Sequence, residues 1–422
     1  MTRSSVGLLM RKGLSLHGDH IEALGRIFEE VHLWTSVSGF EQDPRFRSVQ
    51  HIPKHENVEE MITQARQIGV PFFITWQETD IVLNARLNEG LGRQDIPLQA
   101  AEIARDKSRQ RQFLKQEDVA CPEFYAVNTL DEAVSAATSI GYPVIIKPTL
   151  AASSSHVALV HSLAELKRAF DSISQLAISQ SGLYFDEEFP AIALIEEFLP
   201  GEEITLDGVV VNGRFYLGGV HNKLRMPGPY FEEDEYTLPF QGESNVEQEL
   251  CEMAQQICTG LKLENGLFNV EARQNANDEY KVVEFSCRIS GGHVYRNIRD
   301  VYGIDLVTAH AYGLQGEETL AAHFAKRTAP KCATCIKFVY RDGKVLSNAS
   351  GEAADDVRYR AYYPVAAKGR VVQSAPNGFD ITGLLSVRTQ YEGPEDIESV
   401  KQAARSLEQK LDLQVAEVRQ LQ

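Results

Sequence analysis

Glu271, Glu284, Arg288 and a glycine pair crowd into one stretch of the chain, Asn269–His293. Glu271 and Glu284 lie in short apolar runs, Gly266–Ala272 and Tyr280–Phe285, whose alternation predicts strands, and Asn275-Ala-Asn-Asp278 between them reads as a turn. Such a hairpin can bring both carboxylates to one site. Arg288 follows the second glutamate closely, and Gly291-Gly292 lets backbone come near a ligand. Hard cations take carboxylate oxygens, and arginine neutralises charge on a transferring phosphoryl group, so the stretch suits magnesium–phosphate chemistry. Taken alone, the same residues also fit an ordinary surface hairpin with solvated glutamates.

The elements that must position this hairpin begin with an alternation of strand and helix over the first hundred residues. Val6–Met10, Val31–Val37 and Pro71–Trp76 read as strands; His20–Glu30, Val58–Ile68 and Thr79–Leu91 read as helices. That order predicts a small parallel sheet with helices on both faces. Gly13 and Gly18 follow the first strand without a GxGxxG pattern, so the unit is expected to be a scaffold that supplies one wall of a pocket. Asp106–Lys115 begins a charged helix, and Thr129 with Glu132 forms a capping box opening a helix to Ile140. Gly141–Pro148 is a buried strand that presents Lys147 at its end, a placement that is costly unless an anion meets the ammonium. The small residues Thr149–His156, Ser153, Ser154 and Ser155 among them, could wrap phosphates or form a plain hairpin loop before the strand Val157–His161.

Ala191–Leu199 is an apolar strand closing on Glu196 and Glu197, followed by Glu203. Asn212-Gly213 joins the strands Ile204–Val211 and Phe215–His221, and His221, Lys223 and Arg225 stand at the exit of that hairpin. Pro227–Pro239 is irregular and acidic and is expected to be a mobile loop. Helices are expected at Glu247–Leu261, Asp305–Tyr312 and Pro394–Leu411, and strands near Thr334–Tyr340, Gly369–Gln373 and Leu384–Gln390.

With 422 residues the chain exceeds one compact core. A hydrophobic fraction of 43% and a charged fraction of 24% are those of a soluble globular protein, and no apolar run of about 18 residues is present to span a membrane. The opening MTRSSVGLLMRKG has too short an apolar core for a signal peptide. A formal charge of −17 argues against nucleic-acid or anionic-membrane partners but not against a local cationic pocket. Six cysteines lack a disulfide-framework spacing, and Cys332-Ala-Thr-Cys335 is a lone CxxC, so zinc and redox roles are not expected and the cytoplasm is the expected compartment.

In order and spacing over about residues 100–315, these pieces resemble the ATP-grasp superfamily of ATP-dependent ligases. The motifs that carry the resemblance are Asp106-Lys107-Ser-Arg-Gln-Arg111, Lys147-Pro148, Ala151–Ser155, Glu196–Glu203, and Glu271 with Glu284…Arg288. Each is weak alone; five in the family's order are improbable by chance. The resemblance implies an α/β (α+β) ATP-grasp fold. Its parts would be an N-terminal Rossmann-like domain (1–105), an ATP-grasp core (106–315) with a mobile lid subdomain at about 140–200, and a large C-terminal subdomain (316–422). It also implies roles. Lys107 and Lys147 would contact the phosphates of ATP, with Ser153, Ser154 and Ser155 closing over them. Glu196, Glu197, Phe198 and Leu199 would meet adenine, mainly through backbone groups, and Glu203 the ribose hydroxyls. Glu271 and Glu284 would hold Mg²⁺, or Mn²⁺ in its place, and Arg288 would stabilise an acyl phosphate. His221, Lys223, Arg225, Gly291, Gly292 and His293 are candidates for substrate or phosphate handling. Specificity would rest on His293, Tyr295, Arg296 and the Pro227–Pro239 loop.

Two departures stand out. The phosphate loop has no glycine, and Ser286 occupies the place of an asparagine two residues after the second acid, offering magnesium a weaker ligand. Within the superfamily the Glu284-Phe-Ser-Cys-Arg-Ile-Ser-Gly-Gly-His293 form most resembles L-amino-acid ligases, which activate a carboxylate as an acyl phosphate and join it to an amine. Small-molecule carboxylate and amine substrates and a homodimer are the implied partners. The alternatives are a biotin-carboxylase-like or purine-pathway ligase, weakened by the lack of an A-M-K-M carrier motif, and a non-catalytic nucleotide-binding regulator, disfavoured by the retained glutamates and Arg288.

Overall fold

The computed structural model describes residues 4–52, 57–150, 155–179, 191–375 and 380–417. Four parallel strands open the chain: β1 (Ser5–Leu9), β2 (Glu30–Thr35), β3 (Ser48–His51) and β4 (Phe73–Ile74), in the order β3-β2-β1-β4. Helices α1 (Gly18–Ile27), α2 (Val58–Ile68) and α3 (Ile81–Gly90) alternate with them, as the sequence predicts. Two details differ. The expected strand Pro71–Trp76 shrinks to two paired residues, and β3, whose SVQH carries a single apolar side chain, gives no alternation to read.

Helices α4 (Leu98–Arg105) and α5 (Lys107–Gln116) meet at Asp106. Its Oδ1 accepts from the backbone N–H groups of Ser108 at 2.7 Å and Arg109 at 3.2 Å, an N-cap that starts α5 and sets Lys107 at its first residue. A four-stranded antiparallel sheet follows, formed by β5 (Phe124–Val127), β6 (Val144–Pro148), β7 (Ala158–Val160) and β8 (Ala193–Glu197) in the order β5-β8-β6-β7. Helices α6 (Leu130–Ile140) and α7 (Leu163–Ser179) cover it, and the Thr129–Glu132 capping box is formed. Val144, Ile146, Leu166, Phe170 and Ile195 give this subdomain a core of its own.

The central sheet has eight antiparallel strands. Its first five are β9 (Glu203–Val211), β10 (Arg214–Arg225), β11 (Glu233–Leu238), β12 (Asn265–Gln274) and β13 (Tyr280–Ser286). Asn212 and Gly213, with φ of 47° and 75°, make the β9–β10 turn that an Asn-Gly pair favours. Strands β14 (Ala333–Val339), β15 (Gly343–Ala349), β16 (Tyr359–Pro364), β17 (Val371–Val372), β18 (Gly383–Thr389) and β19 (Asp412–Ala416) come from the last hundred residues. Three of them join the central sheet, in the order β13-β12-β9-β10-β11-β14-β18-β16, so one sheet runs across the boundary expected near residue 315. The other three form a small sheet, β17-β15-β19. Helices α8 (Ser244–Gly260), α9 (Val294–Tyr302), α10 (Leu306–Leu314), α11 (Glu318–Phe324) and α12 (Asp396–Glu408) complete the order.

The expectation of a loop over Pro227–Pro239 is corrected by β11. Tyr236 and Leu238 are buried core residues, and the acids that suggested solvent are paired: Glu235 accepts from Arg405 at 2.8 Å, and Asp234 from Lys337. Tyr295, Ile298 and Leu306 on the α9–α10 side share one core with Val6, Leu8 and Trp76, which docks the N-terminal unit against the central sheet.

Candidate active site

Pairing of β12 with β13 sets Glu271 directly across from Glu284, and Asn269 across from Ser286. Side chains two apart on a strand share a face, so these four lie on one face of the hairpin. Glu271 and Glu284, each about a quarter exposed, look into a cavity of about 460 Å³. Its walls come from the N-terminal unit, the four-stranded β5-β8-β6-β7 sheet, the central sheet and the segments beside its C-terminal strands.

Two lysines bond the glutamate pair. Lys107 Nζ lies 2.9 Å from Glu284 Oε1. Lys223, on β10 and nearly buried, lies 2.9 Å from Glu271 Oε2 and 2.6 Å from Glu203 Oε1, while Arg273 holds the other oxygen of Glu203 at 2.8 Å. Burial alone would raise the Glu284 carboxyl, but Lys107, Lys147 and Arg288 outweigh it and hold it below the usual value. At Glu271 burial wins over Lys223, helped by the like charge of Glu284, and the carboxyl is pushed up. The two acids are therefore unequal, Glu284 the firmer anion.

Lys147 is the penultimate residue of β6, and its Nζ meets Glu196 Oε2 at 2.7 Å; Arg111, from α5, takes Glu196 Oε1 at 2.7 Å and the Val283 carbonyl at 2.5 Å. This buried triad answers the sequence-level puzzle of a lysine closing an apolar strand. Burial, with the neighbouring Arg111, lowers Lys147 to about 8. The Glu196 carboxylate is thus committed to cations. A carboxylate with two oxygens has room for further donors at Glu203, which borders the cavity despite its pairing. Glu197 is held by Lys281 at 2.7 Å.

Arg288 is fixed by a residue that sequence reasoning missed. Glu78, just before α3, accepts from Arg288 Nε at 2.6 Å and from Ser286 Oγ at 2.7 Å. Nothing in the local sequence ties Glu78 to a hairpin two hundred residues on; only docking of the N-terminal unit reveals it. Asp207, also unanticipated, accepts from the backbone N–H of Ser290 at 2.7 Å and anchors the Ser290–Gly292 loop. Its other oxygen is buried without a hydrogen-bond partner, and burial pushes the carboxyl up to about 7. Gly292 sits at a φ of 71°, which favours glycine.

Most sequence-predicted residues border the cavity: Lys107, Lys147, Ser155, Glu196–Leu199, Glu203, Glu271, Glu284, Arg288, Gly291 and Gly292. Ser153 and Ser154 lie outside the described residues. Seven others are not among its lining residues. His221 is fully buried beside Tyr236, and burial lowers it to about 3, with neither ring nitrogen hydrogen-bonded. His293 is likewise buried and neutral, packed on Tyr363 at 4.3 Å. Ser286 is buried and its hydroxyl is turned to Glu78. Lys223 and Arg225 border an adjoining cavity that shares Glu203 and Arg273. Arg225 donates to the Gly228 carbonyl at 3.0 Å. Tyr295 and Arg296 are absorbed in packing, the first donating to Asp305 and the second paired to Asp19 of α1, both at 2.7 Å.

Among the described residues no group of three or more His, Cys, Asp or Glu side chains is arranged to hold a metal by itself. Two facing carboxylates beside lysines fit a different case, a magnesium ion that takes one or two carboxylates and completes its shell from substrate phosphate and water.

The residues that form this site lie largely within a matched family. The ATP-grasp domain model (ATP-grasp_4) matches residues 140–296. That stretch matches an ATP-grasp domain, and the chain has the ATP-grasp fold. Its relatives narrow the resemblance. It is 30% identical over 270 residues to alanine–anticapsin ligase of Bacillus subtilis, covering 60% of this chain and 56% of that one, so the alignment spans little more than half of that relative. Over 254 residues it is 26% identical to dapdiamide A synthase of Enterobacter agglomerans, covering 58% of this chain and 57% of that protein. Among solved structures, an L-amino acid ligase from Bacillus licheniformis superposes with a TM-score of 0.80 at 17% identity, covering 99% of this chain and all of that one. The chain is similar to amino-acid ligases.

Proposed function

We propose that the protein is an ATP-dependent carboxylate–amine ligase, which activates a small carboxylic acid as an acyl phosphate, joins it to an amine and releases ADP and phosphate. The observation that carries this reading is the facing Glu271–Glu284 pair, ringed by Lys107, Lys147 and Arg288 around one cavity. Lys107 and Lys147 would neutralise polyphosphate oxygens, and Arg288, held by Glu78, would neutralise charge on the acyl group. Magnesium, with manganese as a substitute, would be held by Glu271 and Glu284 and would supply charge neutralisation at the terminal phosphates. The backbone of Glu197–Leu199 would meet adenine, and Glu203 the ribose. Amino-acid substrates are favoured by the names of the relatives, alanine–anticapsin ligase and dapdiamide A synthase. A homodimer in the cytoplasm, without nucleic-acid partners, is part of the proposal. ADP and phosphate release over a panel of amino acids tests the activity; ATP turnover with no carboxylate–amine pair would overturn it.

A further inference from the structure

The cavity continues past Arg288. Beyond the Ser290–Gly292 loop its lining is largely apolar: Leu16 and Trp76 from the N-terminal side, and Phe338, Val365, Ile381 and Leu384 from the C-terminal strands. Two contacts tie these walls to the catalytic end. A Cβ built on Gly292 would stand 3.2 Å from Leu384 Cδ1, and Leu384 pairs across strands with Phe338. Trp76 lies 5.5 Å from the His17 ring, and Arg288 is close enough to His17 to help keep it uncharged. Burial is the larger cause, taking His17 to about 4. Two polar residues next to Trp76 are already engaged: Glu78 by Arg288 and Ser286, and Gln77 with His17 at 3.4 Å. Lys12 also borders this part of the cavity, where its methylene stem can serve as apolar wall. Gly291 leaves the approach open, since a Cβ there would meet nothing within 4 Å.

A carboxylate placed for activation must lie between the glutamate pair and Arg288, so its side chain points to the recess or back toward the nucleotide. We infer that the recess receives the side chain of the acid being activated, and that it selects bulky apolar acids, of the leucine, methionine or phenylalanine kind, over glycine, alanine and charged acids. This inference rests on the ligase reading. A charged side chain would lose its hydration against Trp76 and Leu384, and a methyl would leave the recess unfilled.

The test uses hydroxylamine as the amine, so that the natural amine need not be known. Hydroxamate formation and ADP release are measured with Mg-ATP and each amino acid. Leucine, methionine or phenylalanine should exceed alanine in kcat/KM by about 100-fold or more, the discrimination available from a few methylene groups in a hydrophobic pocket. Gly291→Leu, which fills the approach, should cut the leucine-to-alanine ratio by about 10-fold or more, and Leu384→Ala should move the preference toward larger acids. Turnover with alanine, glycine or aspartate equal to that with leucine would overturn the recess assignment and leave the ligase reading standing. No hydroxamate with any acid would overturn the ligase reading. In that case a thermal shift with an ATP analogue decides the recess: stabilisation by leucine but not alanine supports it, and equal or no stabilisation by both overturns it.

Discussion

Replacing Glu196 by glutamine should destabilise the protein by about 3–5 kcal/mol, the cost of breaking a buried ion pair and leaving its partner uncompensated. The side chains of Glu196 and Arg111 are 3% and 0% exposed, so solvent cannot take over for the lost charge. The carboxylate now accepts from Arg111 Nε and Lys147 Nζ, each at 2.7 Å. A glutamine has one acceptor oxygen, and its NH₂ would face a cation. Arg111 would retain the Val283 carbonyl, and its Nη1 already lacks a partner. Lys147, held at about 8 with Glu196 in place, would lose its proton more readily and meet phosphate uncharged. Urea unfolding measures the first effect and calorimetry with ADP the second, where affinity should fall at least about tenfold, or 1.4 kcal/mol. The double variant Glu196→Leu/Arg111→Leu leaves only Lys147 of the triad, which can shed its proton, and should recover part of the stability without recovering nucleotide affinity. A loss under about 1 kcal/mol in Glu196→Gln, or a double variant less stable than the single, would refute the reasoning.

Further expectations concern the other cations and the hairpin. The Lys147 ammonium is present below about pH 8 and lost above it, so ATP affinity should be highest below that value and decline as pH rises through it; in Lys147→Arg the decline should vanish in calorimetric titrations. Glu284→Gln should abolish turnover while the circular dichroism spectrum and the unfolding midpoint stay near wild type, since Glu284 is partly open to the cavity. Ser286→Ala should leave magnesium affinity unchanged and cost about 1 kcal/mol in urea unfolding, because its hydroxyl serves Glu78. Weakened magnesium binding in Ser286→Ala, read by manganese resonance, would reverse that assignment.

Much of the site was readable because its parts obey local rules. The β12–β13 hairpin announces itself by alternation and a polar turn, and strand pairing then forces Glu271 to face Glu284. Asp106 reads as the start of a helix, and its capping places Lys107. What failed to read depends on partners far along the chain. The acidic stretch before Pro239 resembles a loop until Lys337 and Arg405 neutralise it, which lets β11 enter the middle of the sheet. Glu78 and Asp207 carry no signal of their own, since each acts on the 286–290 segment only after the units dock. His221 and His293 misled for the opposite reason. Histidine suggests proton handling, but burial keeps both neutral, and no short pattern tells a buried imidazole from a reactive one.

The most direct test of the ligase mechanism follows one oxygen atom. If a carboxylate oxygen attacks phosphorus and the amine then displaces phosphate from the acyl carbon, that oxygen leaves with the phosphate. With the acid labelled in its carboxyl group with oxygen-18, mass spectrometry of the released phosphate should find one label for each ADP formed. Unlabelled phosphate accompanying stoichiometric ADP would contradict activation of the carboxylate and leave only hydrolysis of ATP at this site.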